Sequence, residues 1–258
     1  MKTLKLLALA AVVGCSVQAQ AEAVLRIATD ATYPPFEFQG KDGKPAGFEV
    51  ELAQALCNEM KARCEIIDQA WDGLIPGLQV RKYDAIISSM NITEDRRKVV
   101  DFSDVYYHMK NRFVARKGAN IDISEAGLKG KTIAVQISTP QDKFVTERFE
   151  KVAKITRTVN AMDPMLELGT GRADLTFGNV VQLQEGFLDK ADGKNYEFTG
   201  PTFDGRQNGV LGLGVAVALR KNDGALKDRF NKAIAAVKQN GTFKQIGARY
   251  FAPGQLDD

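Results

Sequence analysis

Asp30, the Ser88-Ser89-Met90-Asn91 cluster, the stretch from Gln136 through Thr139 to Gln141, and Gly178-Asn179 each close a short apolar run. Short apolar runs bounded by polar residues read as buried strands. Ligands of open α/β sheets bind beyond the carboxyl ends of strands, so these four places are candidates for the walls of one cleft. A carboxylate, hydroxyls and amides placed there suit a small polar molecule held by oriented hydrogen bonds. Taken singly, a strand-end Asp or Ser also caps its own loop, and both roles stand for each residue at this point. Other chemistries are poorly served. With one histidine and three cysteines, the chain offers no Ser/His/Asp set and no metal cluster, and no glycine pattern cradles a phosphate.

The elements that would carry these residues alternate strand and helix, the pattern of a parallel α/β sheet. Strands are expected at 24–29, 64–68, 85–89, 112–116, 131–136, 155–159, 174–178 and 210–220, the last softened by Gly212 and Gly214. Phe48, Leu52, Leu56 and Met60 recur every fourth residue and predict an amphipathic helix over 48–62. Glu49 and Glu51 lie on that helix opposite its apolar face and read as solvated charges. Thr139-Pro140 pairs an N-cap with proline at the first helical position, opening a helix to residue 150. Asp163-Pro164 opens another capped helix. Leu226, Phe230, Ile234 and Val237 line a helix that Asn240-Gly241 ends, and Thr242 is expected to cap a last one running to residue 251. Two similar α/β halves with no flexible linker predict two lobes joined by crossing strands.

The N-terminus indicates export. Lys2 and Lys5 precede a brief apolar stretch, and Ala19-Gln20-Ala21 supplies the small residues of a cleavage site. Residues 1–21 are therefore expected to be a signal peptide, with cleavage at Ala23 or lipid anchoring at Cys15 as the other readings. Without them the 35 basic and 32 acidic residues become 33 and 32. A balance near +1 with scattered signs argues against a nucleic-acid surface. No later stretch is long and apolar enough for a membrane span. Cys57 and Cys64, an even pair in an oxidising compartment, are expected to form a disulfide tying the end of a helix to the next strand.

The chain resembles the periplasmic binding proteins for polar amino acids, the lysine/arginine/ornithine- and histidine-binding members above all. The resemblance covers the mature chain and rests on ordered motifs: Thr29-Asp30-Ala31-Thr32-Tyr33-Pro34-Pro35-Phe36, Gly47-Phe48-Glu49-Val50-Glu51-Leu52-Ala53 and Trp71-Asp72-Gly73-Leu74-Ile75-Pro76. Asp84-Ala85-Ile86-Ile87-Ser88-Ser89-Met90, Ile92-Thr93-Glu94-Asp95-Arg96 and Gly171-Arg172-Ala173-Asp174 follow in the same order. It implies a type II two-lobe α/β fold with a two-strand hinge and a discontinuous first lobe: residues 22–109 and 209–258 around a second lobe at 110–208. It also implies closure on the ligand, delivery to an inner-membrane ABC permease, action as a monomer in the periplasm, and no cofactor.

By the same resemblance, Arg96 grips a ligand α-carboxylate, a task that suits a guanidinium fork. Ser89 contacts the amino-acid end, and Ser88, Asp30 and Tyr33 the distal, basic end. Trp71 and Tyr33 sandwich the ligand stem, an arrangement contributing roughly 0.5–2 kcal/mol by cation–π attraction. Gln136, Thr139 and Gln141 belong to the second-lobe wall. Three positions depart from the pattern. Asn179 stands where an acid pairs with the ligand ammonium, and Asn91 where a small hydroxyl residue is common. Pro140 has no N–H to offer a carboxylate.

A cationic amino acid of the arginine, ornithine, lysine or histidine class is the expected ligand, with an opine or other guanidino acid as the alternative. An enzyme on the same scaffold, similar to cyclohexadienyl dehydratases, is the rival of another class. Those carry a second-lobe Asn-Pro-Gly-Gly-Thr-Asn stretch, whereas this chain has Val159-Asn160-Ala161-Met162-Asp163-Pro164.

Overall fold

The computed structural model describes residues 24–256. The expected signal peptide and Cys15 lie outside them. In chain order the first elements are β1 (Leu25–Thr29), β2 (Thr32–Tyr33), β3 (Glu37–Gln39), β4 (Pro45–Ala46), α1 (Phe48–Glu59), β5 (Cys64–Asp68), α2 (Leu74–Gln79), β6 (Ala85–Ile86), α3 (Glu94–Val99) and β7 (Val100–Phe102). The chain continues through β8 (Lys110–Arg116), β9 (Thr132–Gln136), α4 (Pro140–Phe149), β10 (Lys154–Thr158), α5 (Asp163–Gly169), β11 (Leu175–Asn179), α6 (Val180–Leu183) and β12 (Tyr196–Asp204). It ends with β13 (Ala218–Arg220), α7 (Gly224–Gln239) and α8 (Thr242–Gly247).

Two five-stranded sheets share one plan. In the order β5-β1-β6-β13-β7, the first three strands run parallel and the last two add antiparallel. The order β10-β9-β11-β8-β12 repeats that arrangement. β13 comes from the far end of the chain yet sits between β6 and β7, so the first sheet is assembled from two separate segments. The passages linking the sheets meet where Val215 bridges both Asn91 and Tyr107.

Parallel strands covered on both faces must be apolar on both faces. Accordingly Ile27, Ala85 and Ile87 pack with α1 and α7, whereas Ala28 and Ile86 pack with Leu74, Leu78 and Tyr83 on the other side. The fourth-residue pattern of α1 buries Phe48, Leu52 and Leu56, and Phe230 and Ile234 of α7 meet it. A separate core behind the second sheet centres on Phe113, Phe144 and Phe177.

Several expected boundaries move. The 85–89 strand pairs only at Ala85–Ile86. Only Ala218–Arg220 of the 210–220 run pairs as a strand, because Gly212 and Gly214 adopt φ of 91° and 125°. A Cβ on Gly212 would lie 2.7 Å from that of Asn91, so the returning chain passes Asn91 too closely for any larger residue. Met162, not Asp163, occupies the N-cap of α5, and Gly241, not Thr242, that of α8. Glu49 is the largest correction. It is fully buried beside Tyr106, because β3 and the β7–β8 passage cover the face of α1 that helical periodicity leaves polar. Glu51 stays on the outside, paired with Arg249 and Tyr250.

Cys57 and Cys64 are bonded across seven residues, tying α1 to β5. Closing a loop of that length removes unfolded-state entropy that stabilises the fold by about 2 kcal/mol. Reduction is therefore expected to lower the melting temperature by about 4–8 °C in a chain of this size, read by calorimetry with and without a thiol reductant. An unchanged melting temperature would refute that contribution.

Candidate functional site

Asp30 leaves the carboxyl end of β1 and is almost wholly buried. Its amide donates to Ser88 Oγ at 2.9 Å, and its carboxylate accepts from Thr32 Oγ1 at 2.9 Å and Gln136 Nε2 at 3.3 Å. Burial raises its pKa to about 6, against the opposing pull of those donors. Just past β6, Ser88 and Ser89 donate to the two carboxylate oxygens of Glu37 at 3.3 and 3.1 Å. Ser89 takes the left-handed conformation, φ 50°, a strained state that persists where the surroundings over-determine it. Here Tyr107 donates to its Oγ at 2.9 Å. That twist ends the strand alternation, and Met90 turns into the core with Leu74, Leu78 and Tyr83. Met90 therefore does not line the cavity.

Arg96 is placed by the start of α3. The Thr93 hydroxyl accepts from the Arg96 amide, capping the helix and fixing its first turn. The guanidinium donates to the carbonyls of Asn91 at 2.9 Å and Ser138 at 3.3 Å. It also lies 5.0 Å from the centre of the Trp71 ring. Burial lowers its pKa to about 10, so it is charged at neutral pH. Trp71 stacks on Arg96, and its indole N–H reaches Ser138 O at 3.2 Å. Tyr33 packs against Phe36, and both its ring and that of Trp71 line the cavity.

The second sheet supplies the opposite wall. Gln136 ends β9, and its amide donates across the cleft to Asp30 and within its own lobe to Val159 O at 3.1 Å. Thr139 caps α4, accepting from the Asp142 amide at 3.1 Å and donating to Gln136 O at 2.7 Å. Its hydroxyl is thus committed to the loop. Gln141 bonds Asn111 at 2.8 Å. Asn179 ends β11 but turns away from the cleft. Its Oδ1 accepts from the Gln182 amide at 3.0 Å, capping α6, and it borders a different depression beside Tyr107 and His108. Asn179 is therefore a correction: capping its own helix takes the side chain out of the cavity.

Asp30, Tyr33, Trp71, Ser88, Ser89, Asn91, Arg96, Gln136, Thr139 and Gln141 line one cavity between the sheets. Sequence reasoning missed Glu37, Met109 and a second-lobe face that includes Ala161, Pro164, Met165 and Gln182. For Glu37 a signal existed: a lone charge between Phe36 and Phe38, directly after two prolines. The others come from helix starts and a connecting segment, where no period marks them. Contacts across the cleft close its rim. The Ala161 amide donates to Thr32 Oγ1 at 3.3 Å, and Lys143 of α4 pairs with Asp95 of α3.

The family described as bacterial extracellular solute-binding proteins, family 3, matches residues 25–253. The chain belongs to this family. This family 3 solute-binding protein is 40% identical over 233 residues to the L-arginine-binding protein of Pseudomonas aeruginosa, covering 90% of this chain and 89% of that one. It is 32% identical to the octopine-binding periplasmic protein of Rhizobium meliloti, covering 89% and 90% of the two chains. A solved ancestral arginine-binding protein bound to arginine superposes with a TM-score of 0.81 at 31% identity, covering 89% and 98%. Among the described residues of this solute-binding protein, no helix is long and apolar enough to cross a membrane. Chemically, the cavity offers a buried cation at one place and a buried carboxylate at another, with hydroxyl and amide groups between them.

Proposed function

We propose that this protein captures a cationic amino acid of the arginine, ornithine, lysine or histidine class and delivers it to an inner-membrane ABC permease. One observation carries the reading: Arg96 and Asp30, both nearly excluded from water, line the same cavity. Among the described residues the guanidinium has the Trp71 ring and two carbonyls as partners and no carboxylate, so it remains free to grip a carboxylate in the charge-assisted way arginine favours. Asp30, with Tyr33 and Ser88, takes the basic tip. First-lobe groups bind first, and Gln136, Gln141 and the α4 start close over the ligand. Contacts made only in the closed form are what shift the population toward it. The lobes divide at 109/110 and 208/209, and the protein works as a monomer in the periplasm, exported by the 1–21 signal.

A binding role, not catalysis, is supported by the similar relatives, an L-arginine-binding and an octopine-binding protein. The opine alternative has one specific support. With Asn179 turned away, the described second-lobe residues that line the cavity include no acid to pair with a ligand ammonium, which suits an amine that carries a substituent.

A thermal-shift screen tests both. At about a hundredfold excess over Kd a native-state ligand adds about 2.7 kcal/mol of stability, a rise of about 5–10 °C in a chain of this length. L-arginine, L-ornithine and L-lysine are expected to give it, and L-glutamate is not. No rise with any basic amino acid or with octopine would overturn the proposal.

A further inference from the structure

Behind Ser88 and Ser89 lie two carboxyl groups that the binding scheme does not use. Glu37 on β3 is about 1% exposed and Glu49 on α1 is fully buried. Ser89 and Tyr107 lie between them. Glu37 accepts from both serines, and Tyr106 donates to Glu49 Oε2 at 2.7 Å. Among the described residues, no donor meets the other Glu49 oxygen, Oε1, in good hydrogen-bond geometry, though Tyr107 and the Ser89 amide lie near the carboxyl. A buried carboxylate oxygen without a donor is costly, and a proton carried on that oxygen removes the charge. The groups acting on the pair are each other, Asp30, and the hydroxyls of Ser88, Ser89, Tyr106 and Tyr107. α7 and α8 pack on α1 with apolar residues of the same core. Burial pushes both carboxyls up, and the neighbouring Glu49 charge raises Glu37 further. For Glu49 the value reaches about 7. Two carboxyls confined in one dry place titrate as a pair, not singly.

We infer that Glu37 and Glu49 share one proton behind the serine floor and release it to solvent when a cationic group docks against that floor, so that the pair acts as a positioning device favouring cationic over neutral ligands. This rests on the cationic-ligand reading. The ligand charge stabilises the doubly ionised pair, which lowers its proton affinity in the complex. The sign follows. Affinity for a cationic ligand rises with pH over the range in which the free pair still holds its proton and weakens as the pH falls, because proton release must then work against a higher proton concentration. Glu37 faces the cavity, whereas Glu49 acts through it and through Ser89.

Calorimetric titration of the mature chain with L-arginine, in phosphate and in imidazole buffer at about pH 6.5, counts the protons released. The wild type is expected to release more than Glu49→Gln, by about half a proton or more, since the variant leaves Glu37 without its repelling partner. Equal counts would overturn the inference and leave the proposed function standing. Carboxyl 13C NMR of glutamate-labelled, ligand-free wild type is read independently of any ligand and of how the variant folds. One glutamate carboxyl is expected to stay protonated above about pH 6. Titration of every glutamate below about pH 5 overturns the inference even if basic amino acids fail to bind and the functional reading falls with them.

Discussion

Arg96→Ala is expected to weaken L-arginine binding by about 100- to 1000-fold while leaving the ligand-free protein folded. Removing one partner of a buried, hydrogen-bonded charge pair costs about 2–5 kcal/mol, and each 1.4 kcal/mol is about tenfold in affinity. Most of that loss is the ligand carboxylate left in a dry place without its guanidinium. The fold is spared for local reasons. Arg96 stands on the short helix α3, which the Thr93 hydroxyl caps through the residue-96 amide, a bond alanine keeps. The carbonyls of Asn91 and Ser138 lose their donor, but a buried cation with no carboxylate beside it disappears as well. Trp71 loses its stacking partner and keeps its bond to Ser138 O. Calorimetry for affinity and circular dichroism for folding provide the check. Unchanged affinity would mean that the carboxylate is held elsewhere.

Asp30→Asn should act on the opposite end of the ligand and change its preference more than its general affinity. Arginine is expected to lose about 30-fold or more, since a charge-assisted contact worth about 2 kcal/mol or more becomes a neutral one, whereas a neutral amino acid loses little. Asp30 also sets a pH limit of its own. Its carboxyl, raised to about 6 by burial, is ionised above that pH and protonated below it. Cation binding through Asp30 is therefore complete above about 6, and each unit below subtracts up to about 1.4 kcal/mol. The variant should lack this acid limb and keep the dependence nearer neutrality that the Glu37–Glu49 pair provides. Stability has the opposite sign. A carboxyl whose folded pKa exceeds its unfolded one stabilises below the unfolded value, and that contribution is lost as pH rises through the folded value. Ligand-free Asp30→Asn should accordingly melt higher than wild type near neutral pH. Arginine affinity that matches the wild type across the acid range would reject this role for Asp30.

The pH behaviour ties the two ends together. The cavity holds more carboxyl groups than cations: Asp30 and Glu37 line it together with Arg96. A ligand with one carboxylate and two ammonium-like groups restores the balance, and the ligand-free protein compensates by keeping protons. Destabilised ionisable groups of this kind concentrate at functional sites.

Much of the fold was legible because its signals are local. The fourth-residue pattern of Phe48, Leu52 and Leu56 reports only on α1, and Thr139-Pro140 needs only its own helix to act as a start. The polar endings at Asp30, Ser88 and Gln136 follow from where apolar runs stop. Failures have an equally physical cause. Met90 stands in sequence among the polar residues that end the 85–89 run, whereas the left-handed turn at Ser89 sends it into the core. Gly212 and Gly214 look like strand residues until a second segment, carrying Asn91, passes too close for a Cβ.

The alternation of strands and helices, the cysteine pair joining α1 to β5 and the polar character of the strand ends are local properties of the chain, because each depends on neighbours a few positions away. Which of those ends meet depends on how distant segments pack. Tyr106 reaches Glu49 across 57 residues, and Gln136 reaches Asp30 across 106. Whether a carboxyl is solvated or holds a proton depends on what covers it. For Glu49 that cover comes from β3 and the β7–β8 passage, and no periodicity within α1 records their approach.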